Sequence, residues 1–182
     1  ATFTLPYALR VYSNTLDLLK HKQVVPFLYQ LYDAPADVKY KKRSWGLLDL
    51  NGGEKPVFTV LSNLMKQVPK RSSIVSMVQD IPSDLNALSF TNQDEVLVTV
   101  LNEGLEPQLI QVSLRGADRK LELMRATMQF STELFPPEQG KKDIVEVEEM
   151  ELKLRSDNAN DSYVFSLTIE PQSIFVGEFQ YK

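Results

Sequence analysis

The stretch VVPFLYQLYDAP, residues 24–35, joins an apolar run to side chains that can bind polar ligands. Its apolar beginning is typical of a strand buried on both faces. Tyr29, Gln30, Tyr32 and Asp33 follow at the end of the run. An aromatic ring offers a flat apolar surface, and amide or carboxylate oxygens accept hydrogen bonds. These four residues are therefore candidates for a ligand site at the end of a buried strand.

The composition excludes several classes of function. The 182 residues are 43% hydrophobic, which is enough for one ordinary core or two small ones. The net charge of -4 argues against a general nucleic-acid binder, because such proteins are normally basic. The sequence has no cysteine, so disulfides, thiolate metal sites and a cysteine nucleophile are excluded. No apolar window reaches the length of a membrane span.

Helical periodicity predicts two helices before residue 70. Apolar side chains three and four positions apart predict a helix from about Pro6 to Lys20, with Thr4 placed to cap it. Residues 24–31 then predict a strand covered on both faces. After a loop, the segment SWGLLDLNGGEKP ends in a proline, and a second helix is predicted from Pro56 to about Gln67. The order helix, buried strand, loop, helix is typical of an alternating β/α architecture.

Beyond Pro69 the apolar period changes from helical to two. Short alternating segments separated by turn signals predict an antiparallel β-sandwich. These segments are residues 96–100, 110–114, 150–154 and 163–169. We therefore place a domain boundary near residues 69–74, between a first domain of residues 1–70 and a second of residues 71–182.

The segment from the predicted strand to the second helix resembles the last βα unit of a (β/α)8-barrel glycoside hydrolase, of the retaining β-xylosidase and α-iduronidase type. In these enzymes a strand of the form F/W-Y-E/Q-L-x-D precedes Y/W/F-G-L-x-D/N-x-x-G-x-x-K-P and the closing helix. Here Leu28 replaces the usual aromatic residue, and Gln30 stands where glutamate is common. The matching residues are Trp45, Gly46, Leu47, Asp49, Gly53, Lys55 and Pro56.

The resemblance implies an α/β-barrel fragment, the last βα unit, followed by the all-β antiparallel sandwich that such enzymes often carry. Barrel enzymes bind substrate at the C-terminal ends of their strands. Tyr29 and Tyr32 would then stack on sugar faces, and Gln30 or Asp33 would bond a hydroxyl group. Trp45 would reach a sugar from the last barrel loop. The alternatives are that the tyrosines only close the rim, that Asp33 starts a turn, and that Trp45 packs between barrel and sandwich.

The resemblance also implies that the catalytic residues lie upstream of this chain. A retaining glycosidase needs two carboxylates roughly 5 to 5.5 Å apart, and the resembled enzymes carry them at the ends of strands four and seven. A closed barrel takes about 250 residues, whereas residues 1–68 supply one strand and two helices. We therefore expect this chain to be the C-terminal portion of a longer enzyme, with the rest of the barrel present as a second polypeptide or lost by cleavage. We also expect no activity of this chain alone, and a secreted, periplasmic or lysosomal enzyme rather than a cytoplasmic one.

A second hypothesis treats the chain as a complete, non-enzymatic module whose β-sandwich binds carbohydrate or another protein. The upstream gene sequence discriminates between the two hypotheses. An open reading frame with glutamates at the ends of two barrel strands supports the hydrolase, and a start codon near Ala1 supports the module. Sandwich domains serve many functions, so the second half of the chain alone does not discriminate between the two hypotheses.

Other polar clusters in the sequence favour solvated surface over chemistry. A strand-like acidic segment favours an exposed sheet face with a bulge over a calcium site, and it contains Glu146, Glu148, Glu149 and Glu151. A basic segment favours a solvated loop over an anion site, and it contains Lys39, Lys41, Lys42 and Arg43. His21 is the only histidine, and neither a nucleophile elbow nor a phosphate-binding loop is present. We therefore expect no cofactor and no metal.

Overall fold

The computed structural model describes residues 4–21, 31–32, 46–75, 82–115, 119–131, 144–157 and 161–182. The chain divides into two compact units, residues 1–66 with 130–146 and residues 67–129 with 147–182. Most of the strand predicted at residues 24–31 lies outside the described residues. The end of a barrel therefore stays a prediction.

Both predicted helices are confirmed. Helix α1 is Leu5–Leu19 and helix α2 is Pro56–Gln67, and each buries one apolar face. Thr4 precedes α1 in the extended conformation of an N-cap residue, but its side chain makes no capping hydrogen bond. The predicted cap is therefore correct in position only. The first turn of α1 contains a proline, whose fixed φ angle suits that position.

The described strands form antiparallel sheets. Nine strands are described: β1 Ser73–Val75, β2 Leu85–Thr91, β3 Glu95–Asn102, β4 Gln108–Arg115, β5 Leu121–Ser131, β6 Val145–Glu149, β7 Arg155–Asp157, β8 Ser162–Ile169 and β9 Ser173–Tyr181. They form a six-stranded sheet in the order β1-β2-β3-β9-β5-β6 and a three-stranded sheet in the order β4-β8-β7. Bends or turns lie between β3 and β4 and between β8 and β9.

Three phenylalanine rings join the two sheets. Phe165 of β8 lies with its ring centroid 5.3 Å from that of Phe179 and 6.0 Å from that of Phe175, both in β9. All three side chains are buried. Aromatic pairs at such distances add about 0.5–1.5 kcal/mol to the stability gained from burial alone. The two sheets therefore form a β-sandwich with an aromatic core.

One end of the sandwich is tied together by the buried side chain of Asn102, at the end of β3. Its amide nitrogen donates to the carbonyl oxygens of Glu106 at 2.9 Å and Ile169 at 3.1 Å. Its side-chain oxygen accepts from the backbone N–H of Gly104 at 2.9 Å. A buried amide needs such partners because unpaired polar groups are costly to bury. Asn102 thereby holds the turn after β3 against the end of β8.

The strand predicted at residues 150–154 is wrong. Strand β6 ends at Glu149, strand β7 begins at Arg155, and no ladder joins them through the intervening residues. The alternation itself is real, because Met150, Leu152 and Leu154 are partly buried while the residues between them are exposed. Alternating burial reports which way side chains point and does not require a strand partner.

Candidate functional site

The described part of the candidate site is a loop that returns to the end of the predicted strand. Leu48 forms a parallel bridge with Tyr32 and an antiparallel bridge with Glu54. The backbone N–H of Leu48 also donates to the carbonyl oxygen of Leu31 at 2.8 Å. These contacts anchor residues 46–56 beside Tyr32.

A tight turn at residues 49–53 closes this loop. The N–H of Gly52 donates to the carbonyl oxygen of Asp49 at 3.1 Å, and the N–H of Asp49 donates to that of Gly53 at 2.9 Å. Gly52 has a φ angle of +82°, which residues with a side chain rarely adopt. The glycine at position 52 is therefore required by the backbone.

The carboxylate of Asp49 stabilises the same turn from the inside. One of its oxygens accepts the backbone N–H groups of Asn51 and Gly53, each at 2.8 Å. A Cβ atom on Gly53 would lie 2.5 Å from the other carboxylate oxygen, so the carboxylate fits only against a glycine. This contact explains why Asp49 and Gly53 are four residues apart in the motif that resembles the hydrolase loop. Both residues serve to hold the turn.

Tyr32 is the predicted site residue that the structure describes. The residue is 51% exposed, and a Cβ atom on Gly52 would lie 4.0 Å from its Cε1 atom. The ring therefore lies beside the turn, and about half of the residue's surface is accessible. Tyr29, Gln30, Asp33 and Trp45 lie outside the described residues, so the grouping of the five residues into one site stays a prediction.

Lys55 is a residue whose environment the sequence does not reveal. Its backbone N–H donates to the carbonyl oxygen of Leu47 at 3.1 Å, and its own carbonyl oxygen accepts the N–H of Phe58 at 2.9 Å. The side chain is fully buried, immediately before α2. Burial of a lysine side chain is rare because its charge must be compensated. Lys55 therefore belongs to the interior of the first unit rather than to an exposed binding surface.

The acidic segment behaves as a solvated sheet face. Most of β6 is exposed, and Glu149 forms an ion pair with Arg125 of β5 at 3.1 Å. The described residues contain no group of three or more histidine, cysteine or acidic side chains placed to hold a metal ion. Within the same residues, no helix is both long and apolar enough to cross a membrane.

One carboxyl group of the sandwich has a perturbed pKa. Glu178 of β9 has a pKa raised above its ordinary value, mainly because partial burial disfavours its charge. Repulsion from Glu95 acts in the same direction, whereas the guanidinium of Arg125 lowers the pKa. Glu178 stands in the ladder between β9 and β3, in the second unit. We expect the perturbation to affect the stability of this sheet.

Comparison with known proteins shows that the fold of this chain is similar to parts of solved structures. No protein-family model matches the sequence, and no curated protein matches it either. Among solved structures, a glycoside hydrolase family 30 subfamily 8 xylanase from Clostridium acetobutylicum matches with a TM-score of 0.60 at 10% identity. That match covers 97% of this chain and 39% of the xylanase.

Two other solved structures have the same likeness. A family 30 endoxylanase from Clostridium papyrosolvens C71 matches with a TM-score of 0.53 at 9% identity, over 100% of this chain and 39% of its own length. A family 51 alpha-L-arabinofuranosidase from Bifidobacterium longum matches with a TM-score of 0.58 at 14% identity, over 94% of this chain and 34% of its own. The chain thus spans less than two fifths of each of these structures, and its fold is similar to a portion of glycoside hydrolases.

Proposed function

We propose that this chain is the C-terminal portion of a retaining glycoside hydrolase, in which it forms the end of a (β/α)8 barrel and an accessory β-sandwich. The observation that carries the proposal is the likeness to a xylanase fold over 97% of this chain but only 39% of the xylanase. The loop at residues 46–56 gives independent support. It is anchored beside Tyr32, where the resembled enzymes have the loop after their last strand.

The chain contributes substrate-binding residues at the barrel rim. Tyr29, Gln30, Tyr32, Asp33 and Trp45 contact the glycan in this proposal. Tyr32 has the accessible ring that stacking on a sugar needs. The backbone N–H groups of Asn51 and Gly53 donate to the Asp49 carboxylate and hold the neighbouring turn closed.

The catalytic carboxylates belong to the part of the enzyme upstream of this chain. A general acid protonates the leaving oxygen, and a carboxylate attacks the anomeric carbon to form a glycosyl-enzyme intermediate that water hydrolyses. The residues of this chain hold the sugar in position for that attack. The substrate is an oligosaccharide or polysaccharide with O-glycosidic bonds, and the names of the structural neighbours favour one rich in pentose sugars.

The rest of the barrel is supplied by a second polypeptide. A closed barrel of this type takes about 250 residues, more than the first domain of this chain provides. The test is native mass spectrometry on material expressed from the full gene and purified without denaturant. We expect to detect this chain in a complex with a partner of roughly 30 kDa, about the mass of the missing strands and helices.

The opposite result is equally informative. A chain that travels alone, stays in solution and unfolds in one cooperative transition would contradict the proposal. That result would favour the second hypothesis, a self-contained binding module. Its β-sandwich would then be screened for binding to immobilised glycans. The proposal is also supported if the complex hydrolyses a glycan and this chain alone does not.

A further inference from the structure

We propose that Asn51 is a site of spontaneous deamidation, and that the carboxylate of Asp49 controls its rate. Asn51 and Gly52 form an Asn-Gly pair at the tip of the turn, and both residues are exposed. The next residue has no side chain to hinder attack by its backbone nitrogen. The inference concerns the chemistry of the turn itself and does not depend on the hydrolase activity.

The reaction needs no group other than water. The backbone nitrogen of Gly52 attacks Cγ of Asn51 and loses its proton to water or hydroxide. The bond from Cγ to the side-chain nitrogen breaks, ammonia leaves, and a five-membered succinimide remains. Water then opens the ring at one of its two carbonyl carbons. The products are aspartate or isoaspartate at position 51, and no electron is gained or lost.

The closed turn opposes the first step. The nitrogen that must attack is held as a hydrogen-bond donor to the carbonyl oxygen of Asp49 at 3.1 Å. The N–H groups of Asn51 and Gly53 are both held by the Asp49 carboxylate at 2.8 Å. Reaction therefore proceeds from the fraction of molecules in which the turn has opened locally. Hydrogen bonds to a charged acceptor are stronger than neutral ones, so Asp49 keeps this fraction small.

The products differ in their effect on the loop. Aspartate keeps the backbone but adds a negative charge close to that of Asp49. Isoaspartate inserts an extra methylene group into the main chain. The carboxylate of Asp49 can then no longer bind the N–H groups of positions 51 and 53 together in the same geometry. The change lies beside Tyr32, since a Cβ atom on Gly52 would be 4.0 Å from that ring.

The sequence provides an internal control for the test. Trypsin does not cut after Lys55 because Pro56 follows, so one peptide of residues 44–66 contains both Asn51 and Asn63. Asn63 lies within α2, where helical hydrogen bonds hold the backbone. The folded protein is incubated in mildly alkaline buffer, and fragment-ion mass spectrometry of this peptide measures the deamidated fraction at each asparagine over time.

We expect Asn51 to deamidate faster than Asn63 in the folded protein. Asp49→Ala should raise the rate at Asn51 by about tenfold or more, since the loss of two hydrogen bonds to a charged acceptor favours opening by at least that factor. Asp49→Asn keeps one acceptor oxygen without the charge and should give an intermediate rate. Asn51→Gln should abolish the product at this position.

Three results would overturn the inference. Asn51 could react no faster than Asn63 in the folded protein. The rate at Asn51 could be the same in Asp49→Ala as in the original sequence. The variant could also accelerate both asparagines equally, which would mean that general unfolding, and not the local turn, sets the rate. Circular dichroism of each variant measures its helix and strand content alongside.

Discussion

At the scale of single residues, the structure separates positions that are occupied by the fold from positions that are open to a ligand. Asp49 and Gly53 are both used inside the turn, where carboxylate and glycine fit against each other. Tyr32 has no such constraint on its exposed edge. Of the residues in and beside the loop, Tyr32 is therefore the one on which a binding experiment should concentrate.

Substitution of Tyr32 tests the proposed contact with a sugar. In the proposed complete enzyme, Tyr32→Ala should raise KM by up to about tenfold, because loss of stacking costs about 0.5–1.5 kcal/mol. Tyr32→Phe keeps the ring and should leave KM nearly unchanged. Steady-state kinetics on an oligosaccharide substrate measures both. Two unchanged variants would mean that the tyrosine only closes the rim, and a loss in Tyr32→Phe would indicate a contact through the hydroxyl group.

The raised pKa of Glu178 predicts a pH dependence of stability. A carboxyl group with a folded-state pKa above its unfolded value contributes stability below the unfolded pKa, and this contribution is lost as pH rises through the folded pKa. Glu178→Gln removes the charge that burial and Glu95 disfavour. The variant should therefore melt at a higher temperature than the original chain at neutral pH. The difference should vanish below the ordinary glutamate pKa of 4.5.

Thermal melts across this pH range measure the effect, and Glu148→Gln on exposed β6 is the matched control. The control should show no comparable rise. A lower melting temperature for Glu178→Gln at neutral pH would mean that the attraction to Arg125 outweighs the cost of burial. That result would contradict the assigned cause of the pKa shift.

At the scale of elements, the spacing of apolar residues predicts the helices and strands that have one buried face and one face exposed to solvent. Helices α1 and α2 each show an apolar face, and their predicted bounds differ from the observed ones by a residue at most at each end. Strand β8 alternates in the same way, with Phe165, Leu167 and Ile169 buried. Strand β2 is buried at six successive positions and therefore shows no alternation that could reveal it.

The middle of β9 shows how two rings on one face of a strand determine the residue type between them. A Cβ atom on Gly177 would lie 2.9 Å from Cζ of Phe175 and 3.0 Å from Cε2 of Phe179. Gly177→Ala should therefore lower the free energy of unfolding by about 1–3 kcal/mol, as overpacked cores generally do. Chemical denaturation measures the change. The pair Gly177→Ala with Phe175→Leu removes the closest ring and is the compensating control.

Either of two results would count against this account of β9. Gly177→Ala could be as stable as the original chain, which would mean that the rings move aside without cost. Alternatively, Phe175→Leu could lower the free energy of unfolding by the same amount in the original chain and in Gly177→Ala. Coupling between the two substitutions is expected because they share one contact.

At the scale of the whole molecule, the chain has the fold of a portion of much longer enzymes. It spans 39% of each of the two family 30 structures that it matches. The proposed hydrolase therefore predicts that activity depends on assembly. This chain alone should not hydrolyse any glycan, and the purified complex should release reducing sugar from a suitable one. Activity of this chain alone would contradict the assignment of both catalytic carboxylates to the upstream part.

The sequence by itself determined the features that depend on neighbours along the chain. Proline and apolar spacing define the two helices, and Asp49 with its nearby glycines defines the turn, because all of these contacts close within a few residues. The sequence also pointed to Tyr32 through its place after an apolar run. The domain boundary near residue 70 and the grouping of Tyr29, Gln30, Asp33 and Trp45 with Tyr32 stay predictions.

Tertiary structure alone decided the features that join distant residues. The pairing of β9 with both β3 and β5 and the environment of Glu178 both require strands far apart in the chain to meet. The same holds for Asn102, whose amide reaches Ile169 across the sandwich. Local patterns record which face of an element is buried, whereas the partner on that face is set only when the whole chain folds.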